Sequence, residues 1–406
     1  MTKALPLRGL RVVNLGWVWA GPVVGQTLAF LGAEVLKVES RSRVDTTRKM
    51  PAFHQNKPDP DRSLSNHALW AGNGSVSLNF KQPEALELLK QLIACSDVVV
   101  ENFSPGVMER LGLSYPELCR VKQDIILLSL SSAGLNGPMK NLRTYGTTLT
   151  ALTGLDSLTG YKGEMPAPVE NAYTDPYTGI LGGFAVLGAL RHRNRTGEGQ
   201  HIDFSQHEAV MQLTGPAYMD YVFNGRIGGT KGNTHPLNGA APHGVFPCRG
   251  KDRWISIAIS DDAHWRDLVK ELESPESLSG EEFATLSQRL ARIDELHERL
   301  GACTKPLDAR ELTDKLQARG VCAAPVLNVG DLLHDEHLRA RNTFIEVEHP
   351  LGFKETIYGA YVKTSRAQPV VRPGGAIGQD NSYVFKEILG LSEQRYADLI
   401  ERQVIY

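Results

Sequence analysis

Short runs rich in apolar residues recur through the first half of the chain, most of them followed by a loop containing Gly or Pro. Residues 10–15 (Leu-Arg-Val-Val-Asn-Leu) read as a strand, the loop Gly16-Trp-Val-Trp-Ala-Gly21 follows, and Pro22 opens a helix that Gly32 ends. Residues 34–39 (Glu-Val-Leu-Lys-Val-Glu) form the next strand. Strand, loop, helix and strand in that order are the unit of a parallel sheet with crossover helices. The pattern continues with a strand at 75–80, a helix at 84–95 and a strand at 97–101 running into Asn102-Phe103-Ser104-Pro105-Gly106. A helix starts at 107–111, and a strand at 125–130 leads into Ser131-Ser-Ala-Gly-Leu-Asn-Gly-Pro138. In such sheets ligands sit outside the carboxyl ends of the strands, where these loops lie. Residues 42–70, rich in Arg, Asp, Pro and His, read as an extended loop.

The stretch 171–191 stands apart. From Tyr177 on, Ile180, Phe184, Leu187 and Leu190 form one apolar stripe at helical spacing. Pro176 suits the first helical position, which puts Asp175 at the N-cap with Thr174 before it. A carboxylate there faces the positive end of the helix dipole, which favours its ionised form. Gly179, Gly182 and Gly183 leave room for backbone or a bulky ligand to come close. From these residues alone Asp175 reads either as a helix cap or as a carboxylate nucleophile or base at the mouth of a pocket.

Beyond it, residues 200–204 predict a strand and 208–223 a helix, and 225–244, rich in Gly, Asn and Pro, a linker or mobile loop. Residues 254–259 start a second region with a strand, 263–300 are charged and mostly helical, and 322–327 form its final strand. Two short helices at 381–391 and 393–401 close the chain.

At 406 residues the chain has length for two domains, and a hydrophobic share of 41% with 22% charged residues is ordinary for a globular protein. A net charge of −2 gives no basic field for nucleic acid, no apolar run approaches a membrane span, and the first residues lack the apolar core of a signal peptide. The five cysteines are scattered singly, which argues for a reduced cytoplasm and against a disulfide framework or zinc site. The first loop is not G-x-G-x-x-G, so a nicotinamide oxidoreductase is disfavoured. His334 and His337, with Asp331 and Glu336, read as a solvated helix face, and no metal is expected.

Taken in order, the motifs carry a family likeness. They are residues 10–39 with Ala20-Gly21-Pro22, Glu101-Asn-Phe-Ser-Pro-Gly106, Gly134-x-x-Gly137-Pro138, Thr174-Asp175-x-x-Thr178-Gly179, Arg195-Thr-Gly-Glu-Gly-Gln200, Ala324-Pro325-Val326 and Leu389-Gly390-Leu391. Together they resemble the class III CoA-transferases, the family of formyl-CoA transferase and carnitine CoA-transferase, over essentially the whole chain. The resemblance implies an α/β fold whose ring-like chains interlock into a dimer. A large Rossmann-like domain would come from both termini (1–225 and 336–406) and a smaller one from 226–335.

The resemblance also assigns Asp175 as the catalytic residue, which attacks an acyl-CoA thioester to give an anhydride and then an aspartyl-CoA thioester. The implied CoA contacts are Asn102, Phe103 and Arg110 at the adenine and phosphate end, with Leu78, Lys81, Arg143 and Arg41; each basic residue would otherwise be an ordinary solvated charge. Asn238-Gly239-Ala240 matches a glycine loop that shields the intermediate in formyl-CoA transferase. Gly146 and Trp19 replace that enzyme's Glu and Gln, so oxalate is not the expected acceptor. Trp17 and Trp19 would make an acceptor pocket large and aromatic. Tyr145 replaces the proton-shuttling His of the α-methylacyl-CoA racemases, which disfavours that rival reading.

The chain looks most like the succinyl-CoA:benzylsuccinate CoA-transferase branch. CoA thioesters are then substrates, with no permanently bound cofactor, and the enzyme is a homodimer or a heteromer with a related subunit. The remaining alternative, a CoA-binding subunit without turnover, is disfavoured because Asp175 is retained.

Overall fold

A computed structural model describes residues 4–169, 172–235, 237–272 and 275–406; Asn171, at the head of the stretch singled out above, and the first three residues lie outside them. The chain forms two compact units, one of Met1–Leu155, Val169–Met219 and Glu336–Tyr406, the other of Asp156–Pro168 and Asp220–Asp335.

The first unit is built on six parallel strands. These are β1 (Arg11–Asn14), β2 (Glu34–Glu39), β3 (Asn73–Ser77), β4 (Val98–Glu101), β5 (Ile126–Ser131) and β6 (His201–Ser205), in the order β3-β2-β1-β4-β5-β6. Val12 of β1 pairs with Val35 on one side and Val98 on the other, so the strand order reverses at the β1/β4 junction. That reversal opens a crevice at the strands' carboxyl ends. Helices α1 (Ala20–Phe30), α2 (Leu64–Leu69), α3 (Pro83–Ala94), α4 (Val107–Arg110), α5 (Tyr115–Val121), α6 (Gly146–Leu152) and α7 (Thr174–Thr196) connect or flank the strands.

Alternate strand residues feed two cores. Val12, Val35, Val98, Val100, Ile126 and Leu128 cluster with Val24 and Leu28 of α1 and Val186 and Leu190 of α7. Val13, Leu36, Val99 and Leu127 cluster instead with Leu89 and Leu92 of α3, Leu118 of α5 and Phe385 near the C-terminus. Burial on both faces is why adjacent residues such as Val12 and Val13, Val35 and Leu36, and Ile126 to Leu128 are apolar rather than alternating with polar ones. The α/β class expected from the sequence is the one observed.

The buried face of α7 is not the expected stripe. Ile180 and Phe184 are exposed, Phe184 by 73%, while Thr178, Gly179, Gly182, Gly183 and Val186 are buried. A Cβ on Gly179 would lie 2.7 Å from Val23 Cβ and 2.8 Å from the Ala20 carbonyl oxygen of α1. The glycines therefore let α1 lie against α7, and that close approach fixes where the first turn of α7 stands relative to the loop after β1.

Three other segments differ from expectation. Residues 42–70 carry three 3₁₀ turns and α2 rather than one extended loop. The helix expected over 208–223 is broken into Gln206–Met211, a 3₁₀ turn and Gly215–Asn224, because Pro216 supplies no N–H to the ladder. Strands β10 (Phe344–His349) and β11 (Phe353–Tyr358), unforeseen in the sequence reading, form a hairpin. It is joined to α2 by a stack of His54, Phe353, His349 and His67. His67, His349 and Glu355 each bring a potential ligand atom within 4.8 Å of the others. The two imidazoles are stacked 3.9 Å apart at 22°, however, so their in-plane lone pairs run side by side and do not converge.

The second unit holds an antiparallel sheet of β7 (His243–Pro247), β8 (Trp254–Ala258) and β9 (Cys322–Pro325) with its own core. Arg289, fully buried, ties that core together by donating to the carbonyls of Ala241 and Phe283 and to Asp262. Asp331 is engaged there as well, by Arg253 at 2.6 Å. No described helix is long and apolar enough to cross a membrane.

Candidate active site

The carboxyl ends of the strands in the first unit enclose a cavity of about 680 Å³. The loop after β1 supplies Trp17, Val18 and Trp19, the turn after β2 supplies Ser40, Ser42 and Arg43, and the residues after β3 supply Phe80 and Lys81. Asn102, Phe103, Ser104 and Pro105 enter after β4, Ser132 after β5 and Gln206 after β6. Arg143, Thr144 and Tyr145 precede α6, and Asp175 stands in the first turn of α7.

Asp175 is the one acid among these lining residues; the charges around it are Arg43, Lys81 and Arg143. Two expectations about it change. The helix starts two residues earlier, with Tyr173 at the cap position, so Asp175 lies inside the first turn and caps nothing. Burial pushes its carboxyl up to about 6, opposite to the downward shift expected from the helix dipole. Removing most of the carboxylate's hydration outweighs the helix end here, since among the described residues no hydrogen bond to the side chain replaces that water. Above about pH 6 the group is a poorly solvated carboxylate facing a cavity, the state in which such a group can act as nucleophile or base.

The aromatic wall is held from behind. Asn102 clamps the main chain of Trp17, its Oδ1 accepting from Trp17 N at 2.7 Å and its Nδ2 donating to the Trp17 carbonyl at 2.9 Å. The Asn102 amide is thus occupied within the protein. Val18 has φ 63°, a conformation a β-branched residue adopts only when its surroundings impose it. The imposing group is Asp45, whose Oδ1 accepts from Val18 N and from Thr47 N, each at 3.1 Å. Asp45 pairs with Lys37 at 3.2 Å, and Lys37 with Glu39 at 3.2 Å, all of them buried. Glu101, buried below the pocket, accepts from Phe103 N at 2.7 Å, and burial pushes its carboxyl up to about 7.

The other sequence-predicted residues fall in different places. Leu78 is fully buried in the core, so its side chain is no part of the pocket wall. Arg110 is exposed and its guanidinium folds over Gly106, outside the lining residues. Arg41 is likewise outside them, donating to the Ile377 carbonyl at 3.0 Å. Asn238 and Gly239 belong to the second unit, where Asn238 has φ 53° and Gly239 N–H donates to His235 Nδ1 at 3.0 Å. Gly146 opens α6 against Ala172, where any Cβ would come within 2.6 Å, so a larger residue would force this backbone to move. Gln206, which receives a hydrogen bond from Thr178 at 3.0 Å, and Arg43 were both missed. Arg43 sits in a polar loop with no periodicity to mark it, and nothing in the sequence distinguishes Gln206.

The family model for CoA-transferase family III matches residues 7–381. The chain belongs to CoA-transferase family III. Among its relatives is the succinyl-CoA–L-malate CoA-transferase alpha subunit of Chloroflexus aurantiacus, 31% identical over 99% of this chain and 93% of that protein. The succinate–glutarate CoA-transferase of Agrobacterium fabrum is 30% identical over 94% of this chain and 96% of its own length. A crystal structure of a CAIB/BAIF family protein from Brucella suis superposes with a TM-score of 0.86 at 30% identity, covering 95% of this chain and all of that one. The protein is accordingly a CoA-transferase of family III.

Proposed function

We propose that the enzyme moves CoA from succinyl-CoA to an aromatic dicarboxylate such as benzylsuccinate through covalent intermediates on Asp175. The supporting observation is the single reachable carboxylate in a cavity lined by aromatic and cationic side chains. The Asp175 carboxylate attacks the thioester carbonyl, forming a mixed anhydride and releasing CoA thiolate. The thiolate attacks the aspartyl carbonyl, giving aspartyl-CoA thioester and free succinate. The acceptor carboxylate attacks that thioester to form a second anhydride, and the thiolate takes the acceptor acyl group and restores Asp175. Each step exchanges one acyl bond for another, so the site's task is to align reactants and hold the carboxylate ionised.

Relatives whose names include succinyl-CoA support the donor. Trp17, Trp19 and Tyr145 support an aryl group on the acceptor, and Lys81, Arg143 and Phe103 suit the phosphates and adenine of CoA. The malate relatives named as alpha and beta subunits support assembly with a second copy or a related chain.

Purified protein given succinyl-CoA and a panel of aryl and alkyl acids should form new thioesters by mass spectrometry, fastest with aryl dicarboxylates. No solvent deuterium should enter the α-carbon; rapid wash-in without an acceptor would identify a racemase instead. The rate should also track ionisation of Asp175. With its carboxyl at about 6, kcat/KM for the thioester should rise with pH and level off above that value, because only the carboxylate attacks. A profile flat from about pH 5 to about pH 8 would disconnect Asp175 from the chemistry.

A further inference from the structure

Of the three cations lining the cavity, Arg43 is the one mounted on an aromatic face: its guanidinium carbon lies 5.1 Å from the ring centroid of Trp17. The backbone that carries that ring is held in place, since Asn102 clamps the Trp17 main chain and Asp45 holds the next residue. Stacking occupies the face of the guanidinium and leaves its N–H edge free. Among the described residues no carboxylate pairs with it. The Ala20 carbonyl lies against Gly179, one helical turn from Asp175, so the segment 17–20 runs past the reacting end of the pocket. Arg43, on the Trp17 ring, thus lines the same cavity as the carboxylate that takes the acyl group.

We infer that Arg43 binds the remote carboxylate of the acyl group, the one left free when a dicarboxylic acid is joined to CoA through its other end. The planar fork of an arginine matches a carboxylate through two parallel hydrogen bonds. Arg43 would thus select dicarboxylyl over monocarboxylyl substrates, and Trp17 beneath it would serve both as its mount and as the wall for an aryl substituent. This role rests on the reading of Asp175 as the acyl acceptor.

Binding separates the role from turnover. In an Asp175→Asn background, where no acyl transfer occurs, dissociation constants are measured by calorimetry for succinyl-CoA, for butyryl-CoA, which has a methyl group in place of the remote carboxylate, and for CoA itself. Succinyl-CoA should bind more tightly than butyryl-CoA. Adding Arg43→Gln should weaken succinyl-CoA at least ~10-fold and change the other two less than about 2-fold, with Arg43→Lys between, because the charge survives without the fork. Equal weakening of all three ligands would assign Arg43 to the CoA moiety, and no change in any would make it a solvated charge; either overturns the inference. Failure of succinyl-CoA as a donor in the Arg43-intact enzyme would overturn the donor assignment. Succinyl-CoA activity with an unchanged succinyl-to-butyryl binding ratio in Arg43→Gln would overturn the Arg43 role alone.

Discussion

Asp175→Asn should lose CoA-transfer activity by a factor on the order of 10³ or more while melting at the same temperature as the wild type or a few degrees higher. The amide cannot form the anhydride, which accounts for the activity. The stability follows from the sign of the pKa shift. The folded protein raises Asp175 from 3.8 to about 6, so it binds the proton more tightly than the unfolded chain does. The contribution favouring the fold is complete below the unfolded value and disappears as pH rises through about 6. At neutral pH the ionised carboxylate therefore weakens the fold, by roughly 1–3 kcal/mol at about 1.4 kcal/mol per pKa unit. An uncharged amide of the same shape removes that burden, a trade of stability for reactivity common at active sites. Asp175→Ala should also melt no lower, since the residue caps nothing in the structure. The thermal gain should vanish below about pH 4, where the wild-type group is protonated in both states. A marked drop in melting temperature for Asp175→Asn would show instead that the side chain supports the helix.

Removing Glu39 should have the largest effect on the fold, about 3–5 kcal/mol in urea or thermal unfolding. Its carboxylate is buried between Arg48, at 2.6 Å, and Lys37, at 3.2 Å, and also accepts from Ser75 at 2.7 Å. Burial alone would raise its pKa, but Lys37 and Arg48 outweigh burial and hold it at about 2. Glu39→Gln would leave two cations in the interior short of a counter-charge, a larger loss than deleting a whole pair. Because the folded-state pKa is depressed, this stabilisation is present above the unfolded value of 4.5 and is lost as pH falls toward about 2. The effect should reach the active site, since Lys37 also holds Asp45, and Asp45 holds Val18 in its left-handed conformation. The variant should therefore lose thermal stability and also show a raised KM for the thioester. A loss below about 1 kcal/mol would mean that the network contributes no more than surface pairs do.

The architecture was legible where burial is two-sided. Strands such as β4 and β5 are mostly apolar because both faces are covered, and they run into Gly- and Pro-bearing loops. The hairpin of β10 and β11 escaped because each strand is half exposed and interleaves charged residues, Glu346 and Glu348 in one and Lys354 and Glu355 in the other, which leaves a weak apolar signal. The face of α7 was misassigned because glycine carries no hydrophobic weight. Its buried side is defined by how closely α1 approaches, which no periodicity reports. The helix itself begins at Thr174, two residues earlier than Pro176 suggested, which moves Asp175 from the cap into the first turn.

Motif order identified the family, yet it could not say which basic residue of a polar loop faces the cavity. The structure turns Arg41 toward Ile377 and lays Arg43 over Trp17. Nor could it reveal Lys37, Glu39, Asp45 and Arg48 as a buried set, because charged residues in a sequence read as surface until their partners are brought together.

The covalent role of Asp175 is tested most directly by trapping. Wild-type protein is incubated with succinyl-CoA, quenched with hydroxylamine, digested and mapped by mass spectrometry. The account predicts an aspartyl hydroxamate on the peptide containing Asp175, formed only when the thioester is present and absent from Asp175→Asn. Efficient CoA transfer with no modification of Asp175, or with the label on another residue, would contradict it.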